Sequence, residues 1–194
     1  MSLLTPADIV GKTEYEAMRE AYRRQVMVTK QRRRVLVGGH CSVHFECKET
    51  MRYQVHEMLR AEDSWARPGA VEDELRAYNP LVPGPGRLSA TIMFEYETPE
   101  ERAGQLPKLV GLERHVRLEV GDSAPALAAF DRGQIDERGV SSVQYASWLL
   151  NPAQVEALGR EGTVVRIVID HPAYTAQAVL SEETRREIAR DPVG

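Results

Sequence analysis

Leu88-Ser89-Ala90-Thr91-Ile92-Met93-Phe94-Glu95-Tyr96 decides the fold class. Leu88, Ala90, Ile92, Phe94 and Tyr96 alternate with Ser89, Thr91, Met93 and Glu95. That period of two belongs to a strand with one buried and one wetter face, the habit of antiparallel sheets. Residues 115–120 repeat it, with Val116, Leu118 and Val120 set against His115, Arg117 and Glu119. Residues 143–150 and 163–170 are more continuously apolar and read as central strands, and 175–180 adds one more. The first two flank a helix capped by Asn151, which suggests a β-α-β unit there.

Upstream the pattern is helical. Thr5-Pro6-Ala7-Asp8, Thr13-Glu14-Tyr15-Glu16, Thr98-Pro99-Glu100-Glu101 and Asn151-Pro152-Ala153-Gln154 each offer a side-chain oxygen to orphan backbone N–H groups, three of them with proline at the first helical position. Thr13 opens a helix to about residue 30, and Ser181-Glu182-Glu183 starts a short final one. Gly111 and Gly159 suit helix C-termini. Pro80, Pro83 and Pro85, with Gly84 and Gly86, separate the helical half from the strands. The expectation is one α+β domain over residues 1–194. It is helical to about residue 79 except for a hairpin at 33–47 that turns at Gly38-Gly39. A mostly antiparallel sheet follows, with helices packed on one face.

Composition narrows the function classes. The chain has 194 residues, 42% hydrophobic and 28% charged, which is enough apolar surface for a core. It has neither a membrane-length apolar run nor the apolar leader of a secreted protein. With only Cys41 and Cys47, a reduced, cytoplasmic protein is expected. A net charge of −4 argues against a nucleic-acid binder. Charge is nevertheless split. Residues 1–34 carry eight Lys/Arg against four acids, and the remainder carries 17 bases against 25 acids. The basic run from Lys30 to Arg34 either complements the acidic body or forms an anion site, since guanidinium groups pair bidentately with carboxylate and phosphate.

Several residues could carry chemistry. In an extended second hairpin arm, His40, Ser42, His44 and Glu46 share one face, and Cys41, Val43, Phe45 and Cys47 the other. His44 and Glu46 could converge on a metal ion if distant ligands completed it. His40, roughly 13 Å from His44 along a strand, could not join them without a bend. The other reading is a solvated strand face. Cys41 and Cys47 lie ~20 Å apart if extended, too far for a disulfide. In the next helix, about 49–63, Met51, Val55, Met58 and Leu59 form the core stripe, with Arg52, Tyr53, His56 and Arg60 mostly opposite. Glu62 falls near the middle of the stripe and Glu57 flanks it, so each must be paired, protonated or past the helix end. Glu57 and Arg60 are expected to join Arg34 and Glu46 in one charged network. Asn79 closes the preceding helical half. Asp170 and His171 end the most apolar strand but point to opposite faces, which excludes a dyad between these neighbours. No Gly-rich phosphate loop, GxSxG elbow or HExxH is present.

Lys30-Gln31-Arg32-Arg33-Arg34, Phe45-Glu46 with Glu49-Thr50 and Tyr53-Gln54, and Glu57-Met58-Leu59-Arg60-Ala61-Glu62 carry a resemblance. So do Ala77-Tyr78-Asn79-Pro80-Leu81, Ala90-Thr91 with Glu95, and Ile169-Asp170-His171-Pro172-Ala173-Tyr174. Over nearly its whole length the chain resembles an uncharacterised bacterial family of unknown function. Its members are often encoded near rubrerythrin-like and iron–sulfur oxidoreductase proteins. The resemblance implies a role beside redox metabolism and a set of polar motif residues: Arg34, Glu46, Gln54, Glu57, Arg60, Tyr78, Asn79, Asp170 and His171. It implies no reaction and no cofactor. Two functions are expected from different classes. One is a cytoplasmic binding or accessory protein, with a redox enzyme as partner and self-association left open. The alternative is a small metal-dependent enzyme with a carboxylate/histidine site at Glu46, Glu57 and His44 or His171.

Overall fold

A computed structural model of the chain describes residues 2–131, 135, 136 and 139–193. The order is α1 (Lys12–Arg32), β1 (Arg34–Val37), β2 (Cys41–Phe45), α2 (Lys48–Ala61), α3 (Ala70–Tyr78), β3 (Arg87–Phe94), α4 (Pro99–Gln105), β4 (Val116–Val120), β5 (Ala126–Leu127) and β6 (Ala129–Phe130). Then come β7 (Ile135–Asp136), β8 (Gly139–Val140), β9 (Val143–Leu149), α5 (Pro152–Gly159), β10 (Val165–His171), β11 (Tyr174–Val179) and α6 (Glu182–Ile188). The class is α+β, and the strand pairings of both main sheets are antiparallel.

The strands divide into two main sheets where one was expected, β1-β2-β3-β9-β6 and β11-β10-β4-β5, with β7-β8 as a separate two-stranded pair. The expected β-α-β unit is therefore absent. β9 pairs antiparallel with β3 from Arg87↔Leu149 to Met93↔Val143, while β10 lies between β4 and β11. Helix α5 thus carries the chain from one sheet to the other. The inward sets meet in a common core: Val35, Val43, Phe45, Leu88, Ile92 and Trp148 from the first sheet, Val116, Leu118, Ile167 and Ile169 from the second. Burying both inward faces is what requires the period of two that the sequence shows.

The outward face of the five-stranded sheet mixes polar residues (Ser42, His44, Ser89, Thr91) with Met93, Val143 and Tyr145, and part of it lies under the N-terminal helices. Helix α2 is covered on two sides, so its amphipathic reading was incomplete. Met51, Val55 and Leu59 pack with Leu75 and Leu81. Tyr53 packs with Tyr15 and Tyr22 of α1. His56, placed on the polar side by the helical wheel, is buried because α1 closes over it. Its ring stacks on Tyr15 at 4.6 Å, its Nε2 accepts the Val10 N–H at 3.1 Å and its Nδ1 donates to the Arg52 carbonyl at 2.8 Å. Glu62 lies past the last residue of α2 and is exposed.

The β1–β2 turn has the expected glycine pair, and one of the two is required. Gly38 has φ +77°, and a Cβ there would meet Tyr174 Oη at 2.7 Å and Ala176 Cβ at 2.9 Å. The Tyr174 hydroxyl occupies that space because it donates to the Val37 carbonyl at 2.6 Å and accepts the His40 N–H at 3.2 Å, which ties the turn to β11. Gly38→Ala should lose about 2–4 kcal/mol in urea denaturation. Gly39→Ala, which meets no atom within 4 Å, should stay within about 0.5 kcal/mol of the parent.

Candidate functional site

A cavity of about 320 Å³ lies between the outward face of the five-stranded sheet and the helices. Its polar wall is His44, Glu46, Gln54 and Thr91, and its apolar wall includes Met51, Leu81, Met93 and Val143. Tyr78 and Tyr145 contribute their rings, and Lys30 reaches it from α1. The volume sits at the low end of the roughly 300–1,000 Å³ typical of small-molecule sites.

Glu46 follows β2 at the point where the chain turns into α2. Its N–H donates to the Ser89 carbonyl at 2.8 Å and its own carbonyl accepts from Arg33 Nη1 at 3.3 Å. The residue is only 6% exposed. Its Oε2 accepts the Thr50 hydroxyl and its Oε1 the Thr91 hydroxyl, each at 2.6 Å. Among the described residues no Lys, Arg or His forms an ion pair with it. A carboxylate offers about four lone-pair positions, so acceptor capacity remains toward the cavity.

His44 belongs to a relay along the strand. Ser42 Oγ lies 2.9 Å from His44 Nε2 and 3.0 Å from Glu95 Oε1, and Glu95 pairs with Arg34 at 3.0 Å. Burial, reinforced by the Arg34 charge, holds the imidazole below its ordinary pKa, so it is neutral near pH 7.

Of the residues singled out from sequence, Glu46, Gln54, His44 and Tyr78 meet here, and Arg34 acts at one remove through Glu95. The expected network of Glu57 and Arg60 with Arg34 and Glu46 does not form, because Glu57 and Arg60 sit on the side of α2 that faces α1. Glu57 accepts a bidentate pair from Arg19 at 2.7 Å per bond and the Tyr15 hydroxyl at 2.6 Å. Arg60 pairs with Glu16 at 2.9 Å. Asn79 exchanges two 2.9 Å hydrogen bonds with the Leu4 backbone, fastening the N-terminal segment.

Asp170 and His171 lie in the other sheet. Asp170 pairs with Arg117 and with His115 Nδ1, the latter at 3.0 Å. His171 donates from Nε2 to the Val110 carbonyl and accepts the Ala173 N–H at Nδ1, both at 3.1 Å, so both nitrogens are used internally. The described residues contain no group of three His, Cys, Asp or Glu placed to hold a metal, and among them no third such ligand stands with His44 and Glu46. Cys41 and Cys47 are buried and unbridged.

The basic run meets the acidic body. Arg32 pairs with Glu183 at 3.0 Å, Arg33 with Asp191 at 2.8 Å, and Arg34 with Glu95. A larger depression, about 790 Å³, lies beside Glu119, Glu156, Arg160 and Arg166. Four of its charges already pair with one another (Arg160–Glu156 and Arg166–Glu119, both 2.9 Å), and its remaining acid, Asp122, is exposed to water.

Thr50, Tyr145 and the relay role of Ser42 and Glu95 were not anticipated. Ser42 does share the His44 strand face, and Thr91 and Glu95 share the wetter face of β3. The missing signal was register: His44↔Thr91 and Ser42↔Met93 bring these faces together.

The chain matches a protein-family model described as "Protein of unknown function (DUF3501)" over residues 3–192. It is also similar to a solved structure, a novel protein of unknown function from Burkholderia pseudomallei K96243. The two share 34% identity and a TM-score of 0.91, covering 98% of this chain and 99% of that one. No curated protein matches the chain.

Glu57 supplies a pH test of the α1–α2 contact. The Arg19 guanidinium, and to a lesser degree the Tyr15 hydroxyl, holds its carboxyl at about 2 instead of 4.5, against the opposing effect of burial. A lowered carboxylate pKa stabilises the fold fully above the unfolded value, and that contribution fades as pH falls toward the folded value. Glu57→Gln should therefore cost about 2 kcal/mol at pH 7, and the gap from the parent should close as the pH drops from about 5 toward 2. Urea unfolding at a series of pH values measures both, and a gap that is constant with pH would contradict the pairing.

Proposed function

The chain belongs to the DUF3501 family of proteins of unknown function, and we propose that it is a binding protein whose cavity takes a small organic molecule anchored on Glu46. The observation that carries this reading is a buried carboxylate held by two hydroxyls and, among the described residues, by no cation. Burying a charge is costly unless it is paired, and truncating one partner of such a pair typically costs about 3–5 kcal/mol. A ligand that brings a cationic or donor group to Glu46 would supply the missing partner, and Met51, Leu81, Met93 and Val143 would take its apolar part. A cytoplasmic, accessory role beside a redox enzyme, as the family resemblance implies, accords with two unbridged thiols. Its separate test is retention of such an enzyme by the tagged protein at physiological salt.

Thermal-shift and calorimetric titration with matched small amines, alcohols and carboxylic acids should favour the amines. Glu46→Gln keeps the shape and one hydroxyl bond but removes the charge, and should weaken amine binding at least ten-fold while unfolding remains cooperative. Equal binding by the variant, or no preference for amines, would overturn the anchor role of Glu46.

A further inference from the structure

The cavity holds more than one unspent group, and together they describe a ligand. Ser42 has one hydroxyl proton, and Glu95 can only accept it. With that proton at Glu95, His44 Nε2 must donate to Ser42 Oγ across 2.9 Å. The ring is then fixed as the Nε2–H tautomer, and its Nδ1 lone pair, which has no partner among the described residues, is left as an acceptor. Glu46 adds a second acceptor, negatively charged, two residues along the same strand face.

Against these stands Lys30. It lines the same cavity and is close enough to bear on the His44 charge. Its ammonium lies 5.5 Å from the centre of the Tyr53 ring and pairs with no carboxylate among the described residues. The other charged groups near His44, Arg34 and Glu95, neutralise each other, and Tyr78 and Tyr145 face the cavity as neutral phenols. One uncompensated acid and one uncompensated base thus share a cavity of about 320 Å³ without pairing with each other.

We infer that the cavity takes an amino-acid-like zwitterion, its ammonium between Glu46 and His44 Nδ1 and its carboxylate at Lys30. An amine alone would meet the repulsion of Lys30, and an acid alone that of Glu46. A zwitterion answers both, and its side chain meets the apolar wall. The inference rests on Glu46 as the ligand's anchor, and its test separates the two.

The test uses the full chain. A panel of free amino acids is titrated by thermal shift, followed by calorimetry with the best binder, its methyl ester and its N-acetyl form. The free amino acid should bind at least ten-fold tighter than either masked form. Lys30→Gln should remove the advantage over the ester from both sides, weakening the free amino acid as its carboxylate loses a partner and strengthening the ester as the repulsion of its ammonium is relieved. His44→Ala should weaken both.

In the free protein, imidazole ¹⁵N spectra should show His44 protonated at Nε2, with Ser42→Ala mixing the tautomers. Ester binding equal to that of the free acid, insensitive to Lys30→Gln, overturns the zwitterion while Glu46 remains the anchor. Equal binding of the N-acetyl form overturns both. Nδ1-protonated His44, or a panel in which no amino acid binds, overturns the zwitterion, and the amine titrations above then decide Glu46 independently.

Discussion

Arg33 is the group on which the rest of the arrangement depends. It stands at the junction of α1 and β1, is 3% exposed, and reaches across the chain to Asp191 through bonds of 2.8 and 3.0 Å. The same guanidinium donates to the carbonyls of Glu46 and Glu187, each at 3.3 Å. Burial opposes its charge, and the Asp191 carboxylate keeps it protonated. A buried pair of this kind adds little net stability relative to apolar residues, but it fixes geometry, because either partner left alone would be a stranded charge. It closes the C-terminal segment over the end of α1 and sets the backbone of Glu46 where β2 ends. The long basic helix and the acidic tail are therefore one electrostatic unit, which is why the charge split in the sequence leaves so few of its arginines available to a partner.

The two sheets divide the labour. Their inward faces are apolar and meet, so chemistry is confined to the outward faces. On the four-stranded sheet that face is a ladder of opposite charges. Arg166 pairs with Glu119, Glu119 with Arg117, and Arg117 with Asp170, which also takes His115. Such a ladder is satisfied internally and open to water, where each pair contributes little. On the five-stranded sheet the part of the outward face around His44, Glu46 and Thr91 is roofed by helices, so its polar groups are partly desolvated and costly to leave without partners. Desolvation makes an unmatched group informative there and leaves the same group mute on the other sheet.

Much of this could be read from residue order alone. The alternation in 88–96 and 115–120 gave the strand faces correctly, and the Gly38-Gly39 turn and most of the helix starts lie where their capping residues put them. What failed depends on long-range partners. Asn151 and its flanking strands look like a β-α-β unit because local pattern cannot say which sheet a strand joins. Tyr53 and His56 look solvated because nothing in α2 announces that α1 will cover them. Glu57, three residues from Arg60, takes its partner from Arg19, 38 positions away. The candidate site was half visible for the same reason. Ser42, His44 and Glu46 share a strand face by parity, whereas Thr91 and Thr50 reach Glu46 only through register and a helix turn.

Glu46 gains its meaning from comparison with the other buried or half-buried acids. Asp191 and Glu57 are each met by a guanidinium in bidentate contact, the ordinary way a fold neutralises a carboxylate it has removed from water. A guanidinium also stands beside the Glu46 backbone, where Arg33 Nη1 donates to its carbonyl oxygen at 3.3 Å. Yet the charge of Arg33 is committed to Asp191 on one side of the backbone, while the Glu46 side chain turns to the other, toward Thr50, Thr91 and the cavity. Hydroxyls orient a carboxylate without cancelling its charge. The Glu46 carboxyl is held instead by hydroxyls inside a roofed pocket, which fixes its orientation and leaves it, among the described residues, without a cationic partner.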